Sequence, residues 1–139
     1  MRRATPMLVS ALFAVFSAGT AAADIGSQAR DHFAAIAKGD IDAVMANYAP
    51  NAELHWVGGP LDGDYQGIGA LKQVWGKFAK AQAPLDVHVE NLRVNGNPAG
   101  STVSADVTFS GANTIPVRYI LLYRQGKLVD EVWQIDPNL

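Results

Sequence analysis

The chain of 139 residues contains no cysteine. That excludes a disulfide framework, a thiolate metal site, a cysteine nucleophile and a lipid-modified cysteine anchor. An excess of charge is lacking too: 11 Lys and Arg stand against 13 Asp and Glu, a formal net charge of -2. With no basic stripe for a phosphate backbone, no nucleic-acid partner is expected. The three histidines, His32, His55 and His88, have no metal-ligand spacing, so no metal is expected and no cofactor is implied. Gly67-Ile68-Gly69 lacks the third glycine and preceding strand of a dinucleotide loop, and Asp62-Gly63-Asp64 is too short for a calcium loop. There is no Gly-x-Ser-x-Gly elbow and no internal repeat, and the length suits one domain.

What is present begins with an N-terminal targeting pattern. Arg2 and Arg3 precede an uncharged, mostly apolar stretch from Met7 to Ala18, and Ala21-Ala22-Ala23 offers small residues for cleavage. A membrane span needs about 20 apolar residues, more than this stretch supplies between Pro6 and Gly19. The pattern predicts a signal peptide over residues 1–23 and a domain over 24–139, periplasmic or secreted, with no membrane attachment after cleavage.

The domain reads as helices first and strands afterwards. Ile25, Ala29, Phe33 and Ile36 repeat at helical spacing up to Gly39. Asp40 then caps a second helix whose apolar face is Ile41, Val44, Met45 and Tyr48, with Pro50 closing it. Ala52 to Val57 reads as a strand, and Gly58 to Gly67 as a long turn-rich loop. A third helix from Ile68 is expected to bury Ile68, Leu71, Val74, Trp75 and Phe78, leaving Lys72, Lys77 and Lys80 in water. After Pro84 the pattern alternates. Leu85, Val87 and Val89 share a face while Leu92 and Val94 have the opposite parity, which predicts a bulge near Asn91. Asn95-Gly96-Asn97-Pro98 reads as a turn, strands follow through Val103 to Phe109 and Val117 to Tyr123, and Gln125-Gly126 turns into a last strand over 128–136. Its apolar face is Val129, Glu131, Trp133 and Ile135. The expected class is α+β, with three N-terminal helices packed on a curved antiparallel sheet that encloses a pocket.

Gly39-Asp40-Ile41-Asp42, Tyr48-Ala49-Pro50-Asn51-Ala52, Trp56, Gly63 to Gly67, and Gly126-Lys127-Leu128-Val129 with Glu131 and Trp133 stand in an order and spacing that resemble a known family. It is the SnoaL-like branch of the nuclear-transport-factor-2-like superfamily. The resemblance implies a cone-shaped, cystatin-like domain with a deep cavity, often a homodimer through the sheet. It implies no single activity. Ketosteroid isomerases of the superfamily carry a tyrosine at the place of His32, the general-base aspartate at the place of Trp56, and a protonated aspartate near Tyr119. A tryptophan cannot take a proton from a carbon acid, so that mechanism is not expected. Polyketide cyclases carry a histidine and an aspartate where Val132 and Gln134 stand.

His32 lies midway across the apolar face of the first helix, and Glu131 alternates with Val129 and Trp133, so both are sent to the interior. They are the candidate catalytic pair; Glu131→Gln, which keeps the side-chain shape, is expected to be nearly neutral for folding but to abolish any turnover. Trp56, Tyr65, Trp75, Tyr119 and Trp133 are the candidate ligand-binding wall, and also candidates for ordinary core. His55 and His88 have the parity of solvated positions. Three roles follow: a module binding a small apolar or aromatic molecule, an acid/base isomerase, hydratase, cyclase or hydrolase using His32 and Glu131, or a non-catalytic dimerising scaffold.

Overall fold

A computed structural model describes the backbone of residues 18–139 and the side chains of residues 24–139. The elements are α1 (Ala18–Lys38), α2 (Ile41–Met45), β1 (Tyr48–Val57), β2 (Gly63–Gln66), α3 (Ile68–Gln82), β3 (Asp86–Asn97), β4 (Gly100–Ser110), β5 (Thr114–Arg124) and β6 (Lys127–Ile135). The helices cover one face of a six-stranded curved sheet ordered β2-β1-β6-β5-β4-β3. This is the α+β class that the helical-then-alternating pattern predicts.

Helix α1 buries Ala29, His32, Phe33 and Ile36, the face given by its period. It starts at Ala18 rather than near Ile25: Ala21-Ala22-Ala23 are strong helix formers, and Gly19 in the first turn does not end the helix. Residues 1–17, the remainder of the segment read as a signal peptide, lie outside the described residues. No helix among the described residues is long and apolar enough to cross a membrane. Gly39 ends α1 at φ +73°, where an added Cβ would meet the Cβ of Ala83 at 2.8 Å. The carboxylate of Asp40 then caps α2, accepting from the Ala43 amide at 3.2 Å.

Several boundaries differ from the sequence reading. Helix α2 stops at Met45, and Tyr48 opens β1 instead of closing the helical face. Pro50 therefore sits inside a strand. An irregular stretch between Tyr48 and Glu53 tolerates its missing amide hydrogen. The loop after Val57 contains β2, which pairs with β1 in antiparallel fashion from Glu53↔Gln66 to Trp56↔Gly63. In α3, Ile68 is 39% exposed at the first turn, outside the buried row of Leu71, Val74, Trp75 and Phe78. Strand β3 runs on to Asn97, which pairs with Gly100, so the turn there is only Pro98-Ala99.

The sheet is mixed. All pairs are antiparallel except β1 and β6, which run parallel in register from Glu53↔Asp130 to Val57↔Gln134. Curvature comes from interruptions in the ladder. Asn91 adopts φ +53° where the β3–β4 register shifts, at the predicted bulge. A second shift sets Tyr123 opposite Leu128, so Leu128 is buried and Val129 drops out of the inward row.

Candidate functional site

Glu131 is the centre of a polar cluster inside the core. It and His32 are fully buried, each at 0% exposure. A buried charge is costly unless bonded, and this one is. Tyr119 Oη donates to Glu131 Oε2 at 2.6 Å, His32 Nε2 lies 2.7 Å from the same oxygen, and Tyr48 Oη donates to Oε1. Trp75 Nε1 donates in turn to Tyr48 Oη at 2.7 Å. An indole N–H can only donate, so the Tyr48 hydroxyl accepts from Trp75 and its own proton points at Glu131. Two hydroxyl donors and an imidazole nitrogen thus converge on an acceptor-only carboxylate.

Each partner comes from a different element: His32 from α1, Tyr48 from β1, Trp75 from α3, Tyr119 from β5 and Glu131 from β6. Burial, and then the charge of Glu131, raise the Tyr48 and Tyr119 hydroxyls well above the usual phenol value. Tyr123 is raised by the same two causes. These hydroxyls remain O–H donors throughout the neutral range. Among the described residues, three buried polar atoms have no hydrogen-bond partner: His32 Nδ1, Tyr123 Oη and Trp133 Nε1.

The aromatic residues named from the sequence divide into two groups. Trp75, Tyr119 and Trp133 are sealed in the core, at no more than 1% exposure. Trp56, where ketosteroid isomerases carry their base, stacks on Trp133 with centroids 4.6 Å apart and packs against Trp75 at 5.3 Å. Its other side reaches a surface cleft of about 240 Å³, lined by Trp56, Pro60, Leu61, Phe78, Ile115 and Ile135, with Lys77, Ala81 and Gln82 also bordering it. Tyr65 does not line this cleft. Its hydroxyl donates to the Leu61 carbonyl at 2.6 Å and so pins the loop that forms one wall.

Periodicity brought His32 and Glu131 to the interior, and the structure joins them. Tyr48 was assigned to a helix, yet carrying the parity of Ala52, Leu54 and Trp56 back along the chain reaches it. Of the cleft residues, Ile135 ends the apolar row read for the last strand and Ile115 shares the parity of Val117, whereas Leu61 comes from a loop, where no period operates. Val132 and Gln134 alternate with the buried Glu131 and Trp133 and so lie on the opposite face of β6. His55, read as solvated, is half-buried and stands among Glu53, Asp64 and Asp130. His88 is exposed, with Nε2 3.0 Å from Glu90 Oε1.

What the cluster can do is set by this geometry. The hydroxyls of Tyr48 and Tyr119 are directed at Glu131, so neither is free to serve as an oxyanion donor. Between the cleft and the polar cluster stand Trp56 and Phe78, each 4% exposed and both packed on Trp133.

Comparison with known proteins agrees with this architecture. A nuclear-transport-factor-2-like protein of unknown function from Pseudomonas putida superposes with a TM-score of 0.73 at 17% identity, covering 84% of this chain and 87% of the other. A protein of unknown function with a cystatin-like fold from Nostoc punctiforme gives 0.70 at 19% identity, covering 84% and 92%. A ketosteroid isomerase-like protein from Erwinia carotovora gives 0.64 at 20% identity, covering 84% and 97%. Identities this low speak for the fold alone. No curated protein matches the chain in sequence. The sequence pattern of the SnoaL-like domain matches residues 29–130, which hold every member of the polar cluster except Glu131. With most of its length matched and the fold shared, the chain belongs to the SnoaL-like family.

Proposed function

We propose that this protein is an exported binding module that takes one small apolar or aromatic organic molecule in the cleft beside Trp56. The observation that carries the reading is the cleft itself: an apolar concavity with an indole and a phenyl ring at its inner end and few polar groups to fix orientation. Its roughly 240 Å³ falls below the range of about 300–1,000 Å³ typical of drug-sized ligands, so a single-ring molecule is the fitting size. The polar cluster behind it supports binding rather than turnover, because its hydroxyl donors are already directed at Glu131.

Indole and phenol are suitable probes. Each is expected to change tryptophan emission saturably in the native protein, and Trp56→Phe should remove most of the change. If the response survives in both Trp56→Phe and Trp133→Phe, the pocket lies elsewhere. Native mass spectrometry tests the rest of the reading. A copurified small molecule supports binding, whereas bare protein with no probe response favours the scaffold. Export and pairing of two copies through the outer sheet face belong to the same proposal. The N-terminal pattern supports the first, and Val57 and Ile120, exposed on that face, support the second. Intact mass should begin at Asp24, and native mass should be that of a dimer.

One observation favours acid/base chemistry as a second reading: the unpartnered Nδ1 of His32, buried beside Glu131. It requires a substrate that displaces Trp56 or Phe78. Isomerisation or hydration of a small carbonyl compound that His32→Gln abolishes would replace the binding reading.

A further inference from the structure

On the outer face of the sheet, four side chains converge away from the cleft. Glu53 and His55 are two residues apart on β1 and share its outward face. The parallel register sets Asp130 of β6 beside Glu53, and the antiparallel register sets Asp64 of β2 beside His55. His55 Nδ1 is 2.7 Å from Asp64 Oδ1. His55 Nε2 is 3.2 Å from Asp130 Oδ1 and 3.6 Å from Glu53 Oε2.

A carboxylate only accepts, so Nδ1 carries the proton that Asp64 receives. The lone pair of a neutral ring would then sit on Nε2, facing two further carboxylates. That arrangement calls for a cation between them, either a proton or a metal ion. A proton leaves three carboxylates against one positive charge, and among the described residues no Lys or Arg is ion-paired with any of the four. A divalent ion compensates the charge better. The distances fit it as well. Tetrahedral ligands at about 2.0–2.2 Å from a metal stand about 3.3–3.6 Å apart, close to the two Nε2 separations. One ligand atom from each of Glu53, His55 and Asp130 lies within 4.8 Å of the others. The remaining gap is within the reach of carboxylate rotation, since both acids are partly exposed.

We propose that Glu53, His55 and Asp130 form a binding site for a divalent transition-metal ion of the zinc class, with Asp64 orienting the histidine. The imidazole ligand selects against calcium and magnesium, which take oxygen ligands in larger or more hydrated shells. Asp64 is the second carboxylate-to-histidine contact common beside metal-bound imidazoles, fixing the tautomer that leaves Nε2 free to bind. Three protein ligands leave a fourth position open to water or a small anion. The site lies on the opposite sheet face from the cleft, so it stands independently of ligand binding there, and it shares the outer face with the proposed pairing of two copies.

Isothermal titration of the purified protein with zinc chloride, with calcium chloride as control, tests the site. One equivalent of zinc should saturate the native protein while calcium gives no heat of binding. His55→Ala and Asp130→Asn should each abolish the zinc isotherm, Asp64→Asn should weaken it about 10–100-fold, and His88→Ala should leave it unchanged. Circular dichroism checks that each variant is folded; these partly exposed positions carry little of the core. The proposal is overturned if zinc gives no saturable isotherm, or if His55→Ala and Asp130→Asn bind as the native protein does. It is equally overturned if His88→Ala loses the binding, since the exposed His88 and Glu90 pair would then be the ligand.

Discussion

Glu131 and its donors behave as one group, so a substitution is best judged by which partner it strands. Removing the Tyr48 hydroxyl strands both Trp75 Nε1 and Glu131 Oε1, whereas removing that of Tyr123 strands nothing. Tyr48→Phe should therefore cost about 2–3 kcal/mol, while Tyr123→Phe should be neutral or stabilise by up to about 1 kcal/mol. Urea midpoints separate the two; equal losses would show that Tyr123 has a partner. Glu131→Gln also reads differently once the cluster is visible. An amide keeps the shape, but it turns an N–H toward a hydroxyl or imidazole that must itself donate. The expected cost is about 3 kcal/mol, not the near-neutral change that the retained shape alone suggests. A variant as stable as the parent would mean that Tyr119 or His32 can turn to accept from the new amide.

Asn91 shows how one residue shapes an element. It holds φ +53° at the β3 bulge, and its side-chain amide donates to Asp106 Oδ2 at 2.8 Å. Asparagine tolerates the left-handed conformation better than most residues, and the bond to β4 fixes the register on either side. Asn91→Gly keeps the backbone freedom and loses only the exposed hydrogen bond, at about 0.5–1 kcal/mol. Asn91→Val adds a β-branched residue in a conformation that disfavours it, about 1–3 kcal/mol more. Thermal melts should rank native above Gly above Val, and a reversed order would remove the backbone explanation. The parity switch from Val87 and Val89 to Leu92 and Val94 made this bulge readable. The interruption at Val129 was hidden, because Leu128 and Val129 are equally apolar and only pairing with Tyr123 and Leu122 decides which turns inward.

At the level of the whole molecule, three of the four tyrosines lie in the core. Tyr48, Tyr119 and Tyr123 hold their protons above the usual phenol value, chiefly through burial and then the charge of Glu131. An unfolded tyrosine ionises near pH 10. Below that pH both states keep the proton, and the contribution to stability is fully present. Above it the unfolded chain binds fewer protons than the native one, so stability falls as pH rises toward the folded values. Urea midpoints should stay level up to about pH 9 and fall steeply by about pH 11, with tyrosinate absorbance from the buried rings appearing together with loss of the fold. Rings that ionise while circular dichroism remains native would contradict the sealed core.

Local pattern in the chain determined which residues turn inward: the buried row of α1, the alternation of β4 and β5, the bulge at Asn91, and the burial of His32 and Glu131. Those features follow from periods of 3.6 and 2 that each element carries within itself. Partners were another matter. Parity says which face a side chain takes, but not which strand lies beside it. The parallel pairing of β1 with β6 joins residues more than seventy positions apart, and it sets Asp130 beside Glu53 and Trp133 beside Trp56. Tyr48 reached Glu131 only because α2 ends early and the chain turns into the sheet. The sealing of Trp75 and Trp133 likewise rested on how closely α3 packs on a curved sheet. Such long-range pairings depend on the packing of all elements at once, so tertiary structure decided the partners of each inward residue and the closed state of the core.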